Sequence, residues 1–328
     1  MDELRKDPTR GNWVLIRPKA GPETSADCPY CPGAEAATAP EIAAYRKDGS
    51  APNTGGWTVR VVPESDPYFR VERELVREGV GMYDMITSRG ASELIVESPR
   101  HDDSLATMGV EQIESVLWMY RDRLIDLKRD GQIRDILVSR RHKKPGVPPH
   151  HPYSRLTAIP IVFAATRREL REAREYYQYK RRCLYCDLMR QEIASGERIV
   201  KLTPAFAVIV PYAARTPFET WIVPRKHSCS YEDALTAESA AELARLYRSY
   251  FRALAERLGD PGYELQMHNA PNLRSRILQG EWATLRDDYH WHIEIQVTPE
   301  RANRVGGIYI TEKTPEASAE ELRRAWVD

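Results

Sequence analysis

Two stretches of this chain set thiols and imidazoles in the same order. Cys28-Pro29-Tyr30-Cys31 is followed by His101 and then His151-Pro152-Tyr153. Cys183-Leu184-Tyr185-Cys186 is followed by His227 and then His290-Trp291-His292. Two cysteines and two histidines make a complete tetrahedral zinc shell, which leaves no coordination position for substrate. The pattern therefore predicts two structural zinc sites: Cys28, Cys31, His101 and His151 in one, Cys183, Cys186, His227 and His290 in the other. A single C-x-x-C would suit buried core thiols as well; its repetition with matching histidines argues for metal. Glu93 precedes His101 by the same spacing as Glu219 precedes His227, so the repetition reads as an internal duplication.

The copies disagree at one position, where Tyr153 stands against His292. In residues 290–297 the polar His290, His292, Glu294 and Gln296 alternate with Trp291, Ile293, Ile295 and Val297. A strand has a side-chain period of two, so the polar set shares one face. Burying such a face is expensive unless it binds something, and metal with phosphate is the natural ligand.

The elements that must position these groups follow the duplication. Strands are expected at 57–63, 92–98, 135–140 and 156–163. A helix is expected where Ile113, Val116, Leu117, Tyr120, Leu124 and Leu127 fall at helical spacing. The second half predicts strands at 205–212, 219–223, 263–269 and 290–297, and a helix from an N-cap at Thr236 to Leu258. A charged helix over 166–180 joins two domains, 1–165 and 166–328. Residues 34–56 and 272–287 read as loops.

The chain has 328 residues, 48 Lys and Arg against 48 Asp and Glu, and a formal charge of zero. No global field therefore draws it to nucleic acid or to a membrane surface. No apolar run reaches the ~20 residues of a membrane span, and residues 1–12 lack the apolar core of a secretory leader. Four of the five cysteines sit in the C-x-x-C pairs and Cys229 is left over, a usage that points to a reducing cytoplasm.

Six segments carry a resemblance over nearly the whole chain: CPYCPG (28–33), GASELIVESPRH (90–101), HHPYSRLTAIPIV (150–162), RCLYCDLMRQE (182–192), PYAARTPFETWIVPRKH (211–227) and YHWHIEI (289–295). Together they resemble the galactose-1-phosphate uridylyltransferase branch of the histidine-triad superfamily, and most of all its members with a zinc in each half. The resemblance implies an α+β fold of two histidine-triad-like halves, antiparallel sheets with flanking helices, and a homodimer. It implies a nucleotidylyltransferase acting on nucleotide and sugar-phosphate substrates. In the family motif H-P-H-x-Q, the first His binds zinc, the second attacks the α-phosphorus, and the Gln holds the intermediate. Here His151 keeps the zinc position, Tyr153 takes the nucleophile position, and Arg155 takes the Gln position. A family Asn is Glu64, and a family Ser is Pro148. His268 matches a family position that can bind a second-half metal, with Glu169 as a carboxylate partner.

A tyrosine hydroxyl, with an unperturbed pKa near ~10, is a weaker nucleophile than neutral imidazole at pH 7. Three readings follow. A sugar 1-phosphate attacks the α-phosphorus directly, UMP being the expected group and a nucleoside triphosphate with magnesium the donor. Alternatively His292 is the nucleophile, as in a nucleotide-sugar phosphorylase or transferase, or the chain is a nucleotide-binding pseudoenzyme. Candidate catalytic residues are Tyr153, Arg155 and His292. Candidate substrate-binding residues are Glu64, Glu294, Gln296 and the basic Arg140, Arg141, Lys143 and Lys144, a run that would serve equally as a solvated loop.

Overall fold

A computed structural model of the chain describes residues 2–17, 28–142, 151–274, 282–297 and 304–327. Its centre is one ten-stranded antiparallel sheet to which each half contributes five strands. The first half supplies β1 (Ala43–Arg46), β2 (Trp57–Pro63), β3 (Ala91–Val96), β4 (Asp135–His142) and β5 (Tyr153–Ile159). The second half supplies β6 (Ile199–Leu202), β7 (Phe206–Ile209), β8 (Thr220–Pro224), β9 (Tyr263–His268) and β10 (His292–Val297). The order across the sheet is β6-β7-β8-β10-β9-β4-β5-β3-β2-β1. Read outward from the central β9–β4 pair, the two halves run in the same sequence, which is the expected duplication as topology. The fold is α+β, as anticipated, but the halves share one continuous sheet.

Equivalent helices cross each half. Helix α1 (Val110–Leu127) links β3 to β4, and α4 (Ala237–Leu258) links β8 to β9. Helix α2 (Ala164–Lys180) and α3 (Leu184–Ser195) fall between the halves, and α5 (Pro315–Ala325) lies near the C-terminus. The stripe Ile113, Val116, Leu117, Tyr120, Leu124 and Leu127 is buried, because those spacings return to one side of a 3.6-residue helix. Thr236 caps α4 as expected, in a reciprocal box with Ser239 that satisfies two otherwise unpaired amides. Helices α1, α4 and α5 join one apolar core on one face of the sheet, with Val138, Leu156, Leu265, Ile293 and Ile295 beneath them.

Sequence periodicity missed several elements. β1 lies inside the region read as a loop, and β6 and α5 had no expectation. A separate four-stranded sheet is built from Trp13–Ile16, Glu3–Lys6, Tyr83–Thr87 and Arg77–Val80, in that order. These strands are four or five residues long, too short for alternation to stand out. β5 also starts at Tyr153 and not at 156. Gly90, beside β3, has φ 151, and a Cβ there would meet the Ala158 carbonyl oxygen at 2.1 Å, so only glycine fits this approach.

The seam between halves carries a buried polar network. Arg140 on β4 donates to Glu97 at 2.8 Å and to the Tyr263 hydroxyl on β9 at 2.5 Å. Glu97 also accepts from Tyr120 on α1 at 3.1 Å and from Ser154 at 2.5 Å. Both charges are fully enclosed, so neither can be deleted alone without leaving the other unpaired in low dielectric. Glu97→Ala should destabilise the fold by about 3–5 kcal/mol, measured as a lower urea midpoint; a change below 1 kcal/mol would mean that Arg140 finds water or another partner.

Candidate functional site

Residues on opposite parities of a strand face opposite ways, and here that separates scaffold from chemistry. The register pairs Arg141 of β4 with Glu264 of β9, Ser139 with Arg155 of β5, and Val96 of β3 with Tyr153. Gln266 pairs with Glu294, and His268 with His292. Tyr153, Arg155, Ser139, Arg141, Glu264, Gln266, His268, His292, Glu294 and Gln296 therefore share the face away from α1 and α4.

The C-x-x-C pairs sit at one end of this face. His101 follows β3 and His151 precedes β5, a paired couple; His227 follows β8 and His290 precedes β10, also a paired couple. In each half the ligand atoms lie within 4.8 Å of one another. The Cys31 Sγ is 3.5 Å from His101 Nδ1 and 3.6 Å from His151 Nδ1. The corresponding Cys186 distances, to His227 and His290, are also 3.5 and 3.6 Å. A tetrahedral ion with Zn–S near ~2.3 Å and Zn–N near ~2.0–2.1 Å has an S–N edge of about 3.6 Å, so both donor sets fit zinc. His151 Nε2 lies 2.7 Å from the Ser98 carbonyl and His227 Nε2 2.9 Å from that of Arg286, which holds the rings with Nδ1 toward the thiols. Burial lowers the pKa of His151 and His290, favouring the neutral imidazole that a metal needs. In the second pair a hydrogen bond from Cys183, then those to His227 and His290, draw Cys186 toward thiolate.

The two copies differ in what covers them. Helix α3 lays Met189 against Ile199, Ala207, Ile209 and Val223 of β6–β8, while Leu170 and Ala173 of α2 join Tyr185 and Tyr289 in a second cluster. His292 is thereby sealed to 1% exposure, between His268 (ring centroids 4.7 Å, stacked) and Tyr185 (4.8 Å). Beside it, Glu169 from α2 lies 2.8 Å from His268 Nδ1 and accepts from the Tyr289 hydroxyl at 2.9 Å. Glu294 binds Arg215 at 2.6 Å, and Arg215 also grips Glu219. Glu169, His268, His292 and Glu294 form a third group of possible metal ligands, but Arg215 already brings a positive charge to it.

The first half keeps the same face accessible. Arg155, its side chain 39% exposed, donates to Glu64 at 2.6 Å. Tyr153 is half-buried beside Tyr30, with ring centroids 5.9 Å apart. Glu64 and Arg155, two of the positions where the resemblance led us to expect other residues, are thus one ion pair, a coupling that no spacing could have revealed. Arg141 lies on this face, 3.2 Å from Glu264, and Gln296 lies opposite Glu264. Arg140 does not belong here: odd and even residues of β4 part company, and its guanidinium is committed to Glu97 behind the sheet. Lys143, Lys144 and Pro148 lie outside the described residues. Arg215, Glu97 and Tyr185 were missed, being polar or aromatic singletons whose partners are distant in sequence.

The comparisons with known proteins agree with this architecture. Residues 169–310 match the C-terminal domain of galactose-1-phosphate uridyl transferase. The chain is 26% identical to ADP-glucose phosphorylase of Arabidopsis thaliana, over 98% of this chain and 92% of that one. It is 24% identical to galactose-1-phosphate uridylyltransferase of Thermotoga maritima, over the full length of both. A solved uridylyltransferase superposes with TM-score 0.81 at 28% identity, each chain covered to 98%. The Arabidopsis ADP-glucose phosphorylase with bound ADP-glucose gives 0.74 at 26%, covering 98% of this chain and 99% of that one. The relatives matched over the full chain are named as nucleotidyl-transferring enzymes. Over nearly its whole length the chain is similar to galactose-1-phosphate uridylyltransferases and to ADP-glucose phosphorylase.

Two outcomes test this geometry. Metal analysis of the purified protein should find two zinc ions per chain, and Cys186→Ala should remove one; a value of zero or one in the unaltered protein would overturn the pairing of sites. Burial opposes charge on His268, but Glu169 and then Glu294 outweigh it and raise its pKa to about 9. Because the folded value exceeds the unfolded one of ~6.5, the stabilisation is complete below pH 6.5 and is lost as pH rises through 9. That loss should be about 3 kcal/mol in denaturation at pH 6 and 10, and His268→Gln should abolish it.

Proposed function

We propose that the protein is a nucleotidylyltransferase that joins a nucleoside monophosphate, UMP in the first instance, to a sugar 1-phosphate at the accessible face of its first half. One observation carries this reading: of the two equivalent faces, helices α2 and α3 seal the one that holds His292, while Tyr153 and Arg155 remain within reach of solvent. The names of the relatives, uridylyltransferase and ADP-glucose phosphorylase, support the reaction class.

The nucleophile position argues for a single displacement. In this reading a phosphate oxygen of the sugar 1-phosphate bonds to the α-phosphorus of a nucleoside triphosphate. The bond from that phosphorus to the bridging oxygen breaks, and pyrophosphate leaves with magnesium. Such a step asks for positioning and charge neutralisation more than for covalent chemistry. Arg155 supplies the cation, released from Glu64 as the phosphate takes its place, and Tyr153 orients the phosphate by its hydroxyl. Zinc held by Cys28, Cys31, His101 and His151, and by Cys183, Cys186, His227 and His290, would supply no chemistry in this reading and would pin each C-x-x-C loop to a pair of strand ends. By family resemblance the protein acts as a cytoplasmic homodimer. His292 as nucleophile is disfavoured, because in-line attack needs an open approach that its burial denies.

Incubation with UTP, ATP or ADP-glucose and a panel of sugar 1-phosphates, with and without magnesium, tests the proposal. Nucleotide sugar and pyrophosphate should form from a triphosphate. Arg155→Ala should cut kcat/KM at least a hundredfold, and Tyr153→Phe far less. A nucleotidyl adduct trapped on His292, or nucleotide binding without turnover for any pair, would defeat it.

A further inference from the structure

Away from Tyr153 the molecule concentrates positive charge in one place. A groove of about 640 Å³ is walled by Arg167, Arg168, Arg171 and Arg174 of α2, by Arg10 from the turn before the second N-terminal strand, and by Trp282. β5 carries the chain six residue steps, about 20 Å, from Tyr153 to Ile159 before it turns into α2, so the groove lies beyond the far end of that strand from Tyr153. At 100° per residue the arginines occupy the side of α2 opposite Glu169, which points to His268.

A charged helix face is ordinarily just solvated, but this one is arranged against its own stability. Arg167, Arg171 and Arg174 follow one another at i+4 and i+3, spacings at which like charges repel. Arg167 and Arg168 lie near the helix N-terminus, where the macrodipole disfavours cations, and the first turn holds no acid. Arg171 meets Glu172 and Glu175, and Glu175 also lines the groove; among the described residues Arg10, Arg167, Arg168 and Arg174 make no ion pair within 4.0 Å, Asp7 and Asp288 being the acids that face Arg10 and Arg174. The chain as a whole is neutral, with acids matching bases in number, so the excess is local. Two separate segments, the turn at Arg10 and helix α2, bring it to one concavity, and a bound polyanion would offset the repulsion between them.

We infer that this groove is a second binding site, for a ligand bearing two or more linked phosphates. Arginine forks match phosphate oxygens bidentately, and the Trp282 ring offers a surface on which a base can stack. The site does not depend on the transfer reaction proposed above and would persist in a variant without turnover.

Titration calorimetry of the full chain at low and high salt tests it, with tripolyphosphate, UTP, sulfate and a single-stranded oligonucleotide as probes. Tripolyphosphate should bind more tightly than sulfate, and the double variant R168A/R171A should weaken it at least tenfold while melting temperature and circular dichroism stay unchanged. UTP binding more tightly than tripolyphosphate, with the advantage lost in Trp282→Ala, assigns a nucleoside polyphosphate; equal binding assigns the bare chain of phosphates. Either supports the site. Tripolyphosphate affinity no better than that of sulfate, or unchanged by R168A/R171A, would overturn it. So would tighter binding of the oligonucleotide, which would make the groove a nucleic-acid surface.

Discussion

Everything at the site depends on the pairing of β4 with β9, which joins two copies of one unit into a single sheet. A sheet has two faces, and strand alternation assigns each residue to one of them. Once the central pair is in register, Arg140 must go to the core and Arg141 to the outer face. Glu97 and Tyr263 then hold the seam from behind, one from each half, so that the polar residues in front are carried on a rigid plane.

The duplication made two equivalent faces, and the helices between the halves distinguish them. Helices α2 and α3 follow the first copy in the chain and fold down over the second. Beneath them Glu169 pairs with His268 and Glu294 with Arg215 in a closed, low-dielectric pocket, while His268 Nε2 and His292 Nε2 are buried without a hydrogen-bond partner. Among the described residues no helix covers the first copy in this way. Tyr153 packs on Tyr30, and Arg155, its side chain 39% exposed, pairs with a mostly buried Glu64.

The metal clusters have a mechanical part in this scheme. Each fastens a loop or helix start to the ends of two paired strands. In the second copy Cys183 caps α3, so the same cluster that ties the strands also orients the covering helix. The S–N separations match the edge lengths of a zinc tetrahedron, and an ion held there by four protein donors would act as a rivet.

Much of this was written in local sequence. The repeated C-x-x-C and histidine spacings announced the duplication and both ligand sets, because each ligand must recur wherever the unit recurs. The 3.6-residue stripe of α1, the Thr236 cap and the alternation through residues 290–297 are properties of short windows, and the strands and helices they imply are present. Tertiary structure alone decided the rest. The basic run at 140–144 read as one group, yet neighbours on a strand face opposite ways, and Arg140 is scaffold. The pairing of Arg155 with Glu64, the grip of Arg215 on Glu294 and the burial of His292 join residues far apart in the chain. Such contacts are set by register and by which helix covers which face, and a linear pattern carries neither.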